Sequence, residues 1–177
     1  MSRKEEKIHG LLGQFFTGDP KGSFARYSDL AKQLMAYGAD AVDPILEKLF
    51  QREADGEPML FLPGVSTFHL LKVVERFAER RHAEQVARML SWEEVVQGQD
   101  RTYRTMIPRI LERIGDSSVV PALEAFAERV GAIEYEDYHD PLDHAFIPAS
   151  DYNQWDQEEI TAAIVACKQR DSSPSRV

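Results

Sequence analysis

The 177-residue chain lacks several features that would indicate a secreted, membrane-spanning or catalytic protein. Its single cysteine, Cys167, excludes an intramolecular disulfide and a zinc site built from several thiolates. No segment approaches the roughly 18 apolar residues of a membrane span. Nucleophile-elbow, phosphate-loop and dinucleotide-binding motifs are also missing. We therefore expect a cytoplasmic protein that is not an enzyme and that needs no cofactor, metal or membrane.

Basic residues are missing from one long segment, between Gly131 and Glu159. This segment accounts for the whole net charge of −9, because the rest of the chain has 21 acidic and 21 basic residues. Its nine acidic residues are Glu134, Glu136, Asp137, Asp140, Asp143, Asp151, Asp156, Glu158 and Glu159. Such a local negative surface opposes nucleic acid close by and would speed the encounter with a basic protein.

The strongest structural pattern lies between residues 107 and 130. Two apolar stripes with helical spacing are separated there by Gly115 and Asp116. We expect Gly115 to take the left-handed conformation that ends a helix, Asp116 or Ser117 to cap the next helix, and Pro121 to lie in its first turn. The pattern thus predicts a helix hairpin with a very short turn. A pair of this kind needs neighbours of the same shape to bury both apolar faces.

The same pattern occurs earlier in the chain, since residues 38–46 fall into register with residues 115–123. In both copies a glycine precedes a proline by six residues, a valine lies between them, and an aliphatic residue follows the proline by two. A weaker copy lies between Phe68 and Leu90, and the period is about 36 to 41 residues. Further amphipathic helices are predicted at 3–17, 24–37 and 156–170, with irregular chain at 51–64 and 131–153.

These residues resemble HEAT repeats, in particular the short form shared with phycobiliprotein lyase subunits. The second copy carries the pattern at Leu111, Gly115, Asp116, Val120, Pro121 and Leu123. The first copy carries it at Leu34, Gly38, Val42, Pro44 and Leu46, with Ala39 in place of the aspartate. The resemblance implies an all-α fold, an α-solenoid or right-handed superhelix of about three helix pairs with flanking helices. Residues 1–170 would then form one domain, with 171–177 as a disordered tail.

The candidate binding residues belong to the acidic run that begins at Glu134. Because two histidines, His139 and His144, lie among these carboxylates, the run has the residue types of a divalent-metal site, but its spacing matches neither His-Glu-x-x-His nor an EF-hand loop. A solvated loop and a partner-recognition element are the other interpretations. The residues predicted to contact a partner are Glu134, Tyr135, Glu136, Asp137, Tyr138, His139, Asp140 and Asp143.

Three functions remain open at this point. The favoured one is a protein-interaction scaffold, in a specific version an immunity or inhibitor protein that covers a basic site on its partner. The repeat subtype suggests an accessory or lyase-like subunit that acts on a tetrapyrrole-bearing protein. The third is nucleic-acid binding, which would use a basic face formed by Arg76, Arg80, Arg81, Arg88, Arg101, Arg104, Arg109 and Arg113.

Overall fold

The computed structural model describes residues 2–16, 24–56, 61–62, 65–97, 102–139 and 146–171. Helices make up most of these residues, and their only strands are two pairs of two residues each. The expected all-α class is therefore confirmed. None of the helices described has the length and apolar character that a bilayer crossing requires. The chain contacts divide into two compact units, Met1–His82 and Ala83–Val177, and the single domain over 1–170 stays a prediction.

The described residues of the first unit form four α-helices and one short strand pair. They are α1 (Arg3–Phe16), α2 (Phe24–Met35), α3 (Val42–Ala54) and α4 (Thr67–Phe77), with β1 (Phe61–Leu62) antiparallel to β2 (Val65–Ser66). Helix α2 packs against α1 and α4, and α3 packs against α1 and α4. Phe15 and Tyr27 stack in this core with ring centroids 5.7 Å apart. The irregular chain predicted at 51–64 begins late, because α3 continues to Ala54.

In the second unit the part of the chain that is described forms five α-helices and another short strand pair. They are α5 (Ala83–Arg88), α6 (Glu93–Gln97), α7 (Thr102–Ile114), α8 (Val120–Gly131) and α9 (Ala149–Asp171), with β3 (Tyr138–His139) antiparallel to β4 (Phe146–Ile147). Helix α9 is the main packing neighbour of both α7 and α8. Its residues Ile160, Ala163 and Cys167 are fully buried. The apolar faces of the predicted hairpin are thus covered in large part by the last helix.

Helix α9 is longer than the sequence pattern predicts. It begins at Ala149, seven residues before the predicted start at Asp156, so the irregular region after α8 ends earlier than residue 153. At its other end the Arg170 guanidinium donates to two carbonyls at the C-terminal end of α7, those of Glu112 in its last turn and of Gly115 directly after it. Of the predicted tail 171–177, the structure describes only Asp171, which ends α9.

The turn between α7 and α8 is short, as expected, but Gly115 has a different role. Asp116 accepts a hydrogen bond from the Ser118 amide at 3.0 Å, so it caps the 3₁₀ turn that leads into α8 rather than α8 itself, which has no side-chain cap. Pro121 lies in the first turn of α8, as expected. The left-handed conformation predicted for Gly115 is wrong, because Gly38 and Gly56 are the only described glycines with positive φ. A Cβ on Gly115 would instead lie 2.7 Å from Cys167 Sγ. This glycine permits the close approach of α9.

A helix, a short 3₁₀ turn and a second helix follow one another four times in the described residues. The turn Met89–Ser91 between α5 and α6 does not fit the sequence period, whereas the other three turns, Gly38–Ala41, Arg80–His82 and Ser117–Val119, do. The second helices α3, α5 and α8 begin at Val42, Ala83 and Val120, which are 41 and 37 residues apart. The helix positions therefore follow the period seen in the sequence, including its weakest copy.

The middle turn has no glycine and is held by a histidine instead. His82 is buried, and its Nδ1 accepts the Glu79 amide hydrogen at 2.8 Å. Its Nε2 lies 3.1 Å from Asp43 Oδ1. Because Nδ1 is an acceptor here, the proton of the neutral imidazole is on Nε2, toward the carboxylate. The ring thus joins this turn to α3 within the first unit.

Candidate functional site

The predicted binding residues begin in a short stretch without regular structure, residues 133–137, which follows α8 after Ala132 and is called the acidic segment here. The side chains of Glu134, Glu136 and Asp137 are exposed, whereas that of Tyr135 is half-buried. Carboxylates on both sides of Tyr135 therefore face solvent while the tyrosine faces the protein.

Tyr135 attaches the acidic segment to a buried ion pair. Its hydroxyl donates to Asp156 Oδ2 at 2.7 Å and accepts a hydrogen bond from the Arg104 guanidinium. Arg104 Nη1 is 3.7 Å from the same carboxylate oxygen, and the Arg104 guanidinium carbon is 5.5 Å from the centre of the Tyr135 ring. Arg104 and Asp156 are 3% and 0% exposed, so each of the two charges is buried beside the opposite one.

Asp137 attaches the other end of the acidic segment to α9. Its Oδ1 accepts the Ala149 amide hydrogen at 2.9 Å, and Ala149 is the first residue of α9. The first amides of a helix have no partner within it, and a carboxylate is favoured there by the helix dipole. Two contacts to α9, from Tyr135 and Asp137, therefore fix the conformation in which Glu134 and Glu136 reach solvent.

A row of aromatic rings extends from the acidic segment along α9. The centroids of Tyr135 and Tyr152 are 5.7 Å apart, and Tyr152 meets Trp155 edge-on at the same distance. Trp155 remains 41% exposed. The acidic segment and this exposed indole are thus parts of one surface of the second unit.

The structure describes the remaining predicted site residues only in part. The backbones of Tyr138 and His139 form β3, paired with Ile147 and Phe146, but their side chains lie outside the described atoms. Asp140, Asp143 and His144 lie outside the described residues. Within the part of the chain that is described, no three His, Cys, Asp or Glu side chains come together in a group that could hold a metal ion.

Sequence reasoning missed the two buried partners of Tyr135. Asp156 was expected among the acids at a helix start, whereas it lies in the third turn of α9 and faces the interior. One signal was present: Asp156 precedes Ile160, Ala163 and Cys167 by four, seven and eleven residues, which is the spacing of one helix face. An acid at the end of an apolar stripe indicates a buried carboxylate with a partner on another element.

Several arginines of the proposed basic face are bound to acids. Besides Arg104, the side chain of Arg109 lies 3.3 Å from Glu159. In the first unit Arg81 contacts Glu79 and Asp43, at 3.0 and 2.8 Å. The hydrogen bond to Glu79 and the charge of Asp43 raise the pKa of Arg81. These contacts compete with phosphate for the same guanidinium groups.

The second unit also has an apolar groove of about 460 Å³ between α5 and α8. Ala87, Val119 and Phe126 lie in its lining. Its lining carries charges of both signs, from Glu84 and Arg88 among others, so it has no strong excess of one sign of charge.

The chain matches no protein-family model, and comparisons with curated proteins and with solved structures give no match either.

Proposed function

We propose that the protein is a non-enzymatic interaction protein whose acidic segment, together with the first turns of α9, binds a protein partner with a basic surface. The observation that carries this proposal is the pair of exposed carboxylates, Glu134 and Glu136, on a backbone held by Tyr135 and Asp137. A loop that was only solvated would have no need of these two contacts to the interior and to a helix end.

The charge distribution supports a basic partner. From residue 131 to residue 167 the chain has no Lys or Arg, so the acidic segment and the first turns of α9 form a surface with an excess of acids. Asp151, Glu158 and Glu159 add to it from α9. A field of one sign raises the association rate of an oppositely charged protein, and this effect decreases with added salt.

The anchored conformation supports affinity as well as rate. Ordering a free loop on binding costs conformational entropy for each residue fixed. In the acidic segment part of that cost is already met in the free protein, because Tyr135 and Asp137 are hydrogen-bonded to α9 or its start. A basic inhibitor target or toxin is a partner of the right chemistry, so an immunity or inhibitor protein remains the specific version of the proposal.

A solenoid of HEAT-like pairs remains the proposed arrangement of the helices. Its support is the regular spacing of three helices that each follow a 3₁₀ turn, with starts at Val42, Ala83 and Val120. In such an array each pair contributes packing positions to the interior and leaves an outer face for a partner. The full burial of Leu46 and Leu123, at equivalent positions of two copies, agrees with that division.

The proposal is tested with decalysine as a stand-in for a basic protein surface. Isothermal titration calorimetry at 50, 100 and 200 mM salt would compare the native protein with the double variant Glu134→Gln/Glu136→Gln. We expect about 2- to 10-fold weaker binding at the lowest salt and a flatter salt dependence in the variant. The control is Glu6→Gln/Glu47→Gln, the same change of charge at two exposed acids of the first unit.

The control separates a specific surface from the effect of net charge. Both variants lose two negative charges, so a purely global attraction would weaken binding equally in the two. The proposal would be contradicted if Glu134→Gln/Glu136→Gln bound decalysine as tightly as Glu6→Gln/Glu47→Gln does, with the same salt dependence.

A further inference from the structure

A second, smaller feature lies beside the acidic segment, on the face shared by α7 and α9. It is a pocket of about 400 Å³, lined by Thr105 from α7 and by Trp155, Glu158, Glu159 and Ala162 from α9. The α9 residues are three, four and seven positions after the tryptophan, so all of them lie on one side of that helix. The pocket therefore combines an aromatic surface with two carboxylates.

The indole is held in place although it is exposed. Trp155 meets the Tyr152 ring edge-on at an interplanar angle of 84°, and 41% of the residue stays accessible. An exposed tryptophan is costly to leave in water, and a positioned one presents a large surface with little loss of conformational entropy on binding. Its π-system attracts a cation placed over it more strongly than that of any other side chain.

The two carboxylates differ in their partners. Glu159 shares its charge with Arg109, whose Nε lies 3.3 Å away. Glu158 is exposed and accepts a hydrogen bond from the uncharged Gln154 amide at 2.8 Å, a contact that leaves its negative charge in place. Because Glu159 is paired with Arg109, the negative charge that the pocket offers to a cation is mainly that of Glu158.

We propose that this pocket binds an arginine side chain of the basic partner, with the guanidinium stacked on Trp155 and hydrogen-bonded to Glu158. This inference rests on the proposed function and names the side chain that the partner contributes. Arginine fits better than lysine because its guanidinium is flat and weakly hydrated, stacks on aromatic faces, and donates two parallel hydrogen bonds to one carboxylate. An ammonium group has the charge without the shape.

The test uses the whole protein and the peptide acetyl-Gly-Gly-Arg-Gly-Gly-amide. Two matched peptides carry lysine or uncharged citrulline in place of the arginine. The readout is the indole N–H signal of the two tryptophans in proton–nitrogen NMR spectra. Trp92 is only 3% exposed and serves as the internal control. We expect a saturable shift of the Trp155 signal at millimolar peptide, with no shift of the Trp92 signal.

The variants separate this inference from the proposed function. Glu158→Gln should weaken the arginine peptide about 3-fold or more in the titration of the Trp155 indole signal. Trp155→Leu lacks that signal, so its binding is followed through the backbone amide signals of Glu158 and Glu159, and we expect it to be about 10-fold weaker. Glu134→Gln/Glu136→Gln should change the affinity for the arginine peptide by less than about 2-fold, although the same variant weakens the binding of decalysine. The citrulline peptide should bind about 10-fold more weakly than the arginine peptide.

Two results would overturn the inference. Equal binding of the arginine and citrulline peptides would show that no cation is recognised, and equal binding of the arginine and lysine peptides would show a general cation site rather than an arginine site. If the arginine peptide fails to shift Trp155 while the acidic-segment variant still loses decalysine, the pocket assignment fails and the proposed function stands. If decalysine binding is unaffected by that variant, the proposed function fails by itself.

Discussion

Removal of the Asp156 carboxylate should destabilise the second unit far more than the loss of a single hydrogen bond would. Its carboxylate is 0% exposed and lies 3.7 Å from Arg104 Nη1 and 2.7 Å from the Tyr135 hydroxyl. Asp156→Ala would remove an opposite charge from beside the Arg104 guanidinium, which is itself 3% exposed. Breaking a buried ion pair from one side costs about 3–5 kcal/mol.

The same reasoning predicts that removing both charges is much less harmful. Arg104→Met together with Asp156→Val replaces the pair by apolar side chains of roughly similar volume, and buried pairs replaced in this way are often neutral in their effect on stability. The double variant should therefore recover most of the stability that Asp156→Ala loses. Tyr135 would keep its ring packing and lose only its hydroxyl partners, at a cost of about 1–3 kcal/mol.

Urea unfolding followed by tryptophan fluorescence measures this effect in the right part of the chain. Both tryptophans, Trp92 and Trp155, belong to the second unit, so the signal does not include unfolding of the first. A midpoint for Asp156→Ala close to that of the native protein would refute the buried pair. A double variant as unstable as Asp156→Ala would refute the argument that an uncompensated charge causes the loss.

Three further predictions concern stability elsewhere. Gly115→Ala should destabilise the protein by about 1–3 kcal/mol, because the added Cβ would clash with Cys167 of α9. Gly10→Ala should stabilise the protein by about 0.5–1 kcal/mol, because Gly10 is exposed on α1 and has open space at its Cβ position. Urea midpoints distinguish the two variants. His82→Leu should lower the free energy of unfolding by about 1–3 kcal/mol, because it leaves the Glu79 amide without its acceptor. In His82→Asn the side-chain oxygen can take the place of Nδ1, so this variant should recover part of that loss in the same assay. Burial lowers the pKa of His69 below its ordinary 6.5. Because the unfolded chain therefore binds the proton at a higher pH than the folded protein does, the contribution of His69 to stability should be full above about pH 6.5 and decrease as the pH falls below it. In circular dichroism urea titrations at pH 7.5 and 5.5, the free energy of unfolding of His69→Leu should decrease less between the two pH values than that of the native protein.

The helices were largely predictable because their information is local. The stripes on either side of Gly115 repeat with the period of a helix, and Asp116 and Pro121 are residue types that begin helices, so α7, α8 and their turn follow from some twenty neighbouring residues. The close approach of Cys167 to Gly115, from 52 positions later, did not follow from this local pattern, although the other two near neighbours, Leu111 and Val119, are local. A glycine at a helix end has two uses, backbone freedom and close approach, and local sequence does not distinguish them.

The candidate site was predictable in its charge but not in its anchoring. The exposed carboxylates of Glu134 and Glu136 follow from the count of acids in that segment. Tyr135 is held by Arg104 and Asp156, which come from two different helices, and Asp156 could be assigned correctly only once α9 was known to begin at Ala149. Contacts between distant elements depend on helix starts and packing, and helix starts are the least certain part of a pattern-based prediction.

The claim that the acidic surface recognises a basic partner is tested most directly by a backbone NMR titration of the native protein with decalysine. The account predicts that the largest amide shifts fall in residues 133–137 and 151–159, that they saturate together, and that they diminish with added salt. Shifts spread evenly over exposed acids of both units, including Glu6 and Glu47, or centred on the groove between α5 and α8, would contradict it.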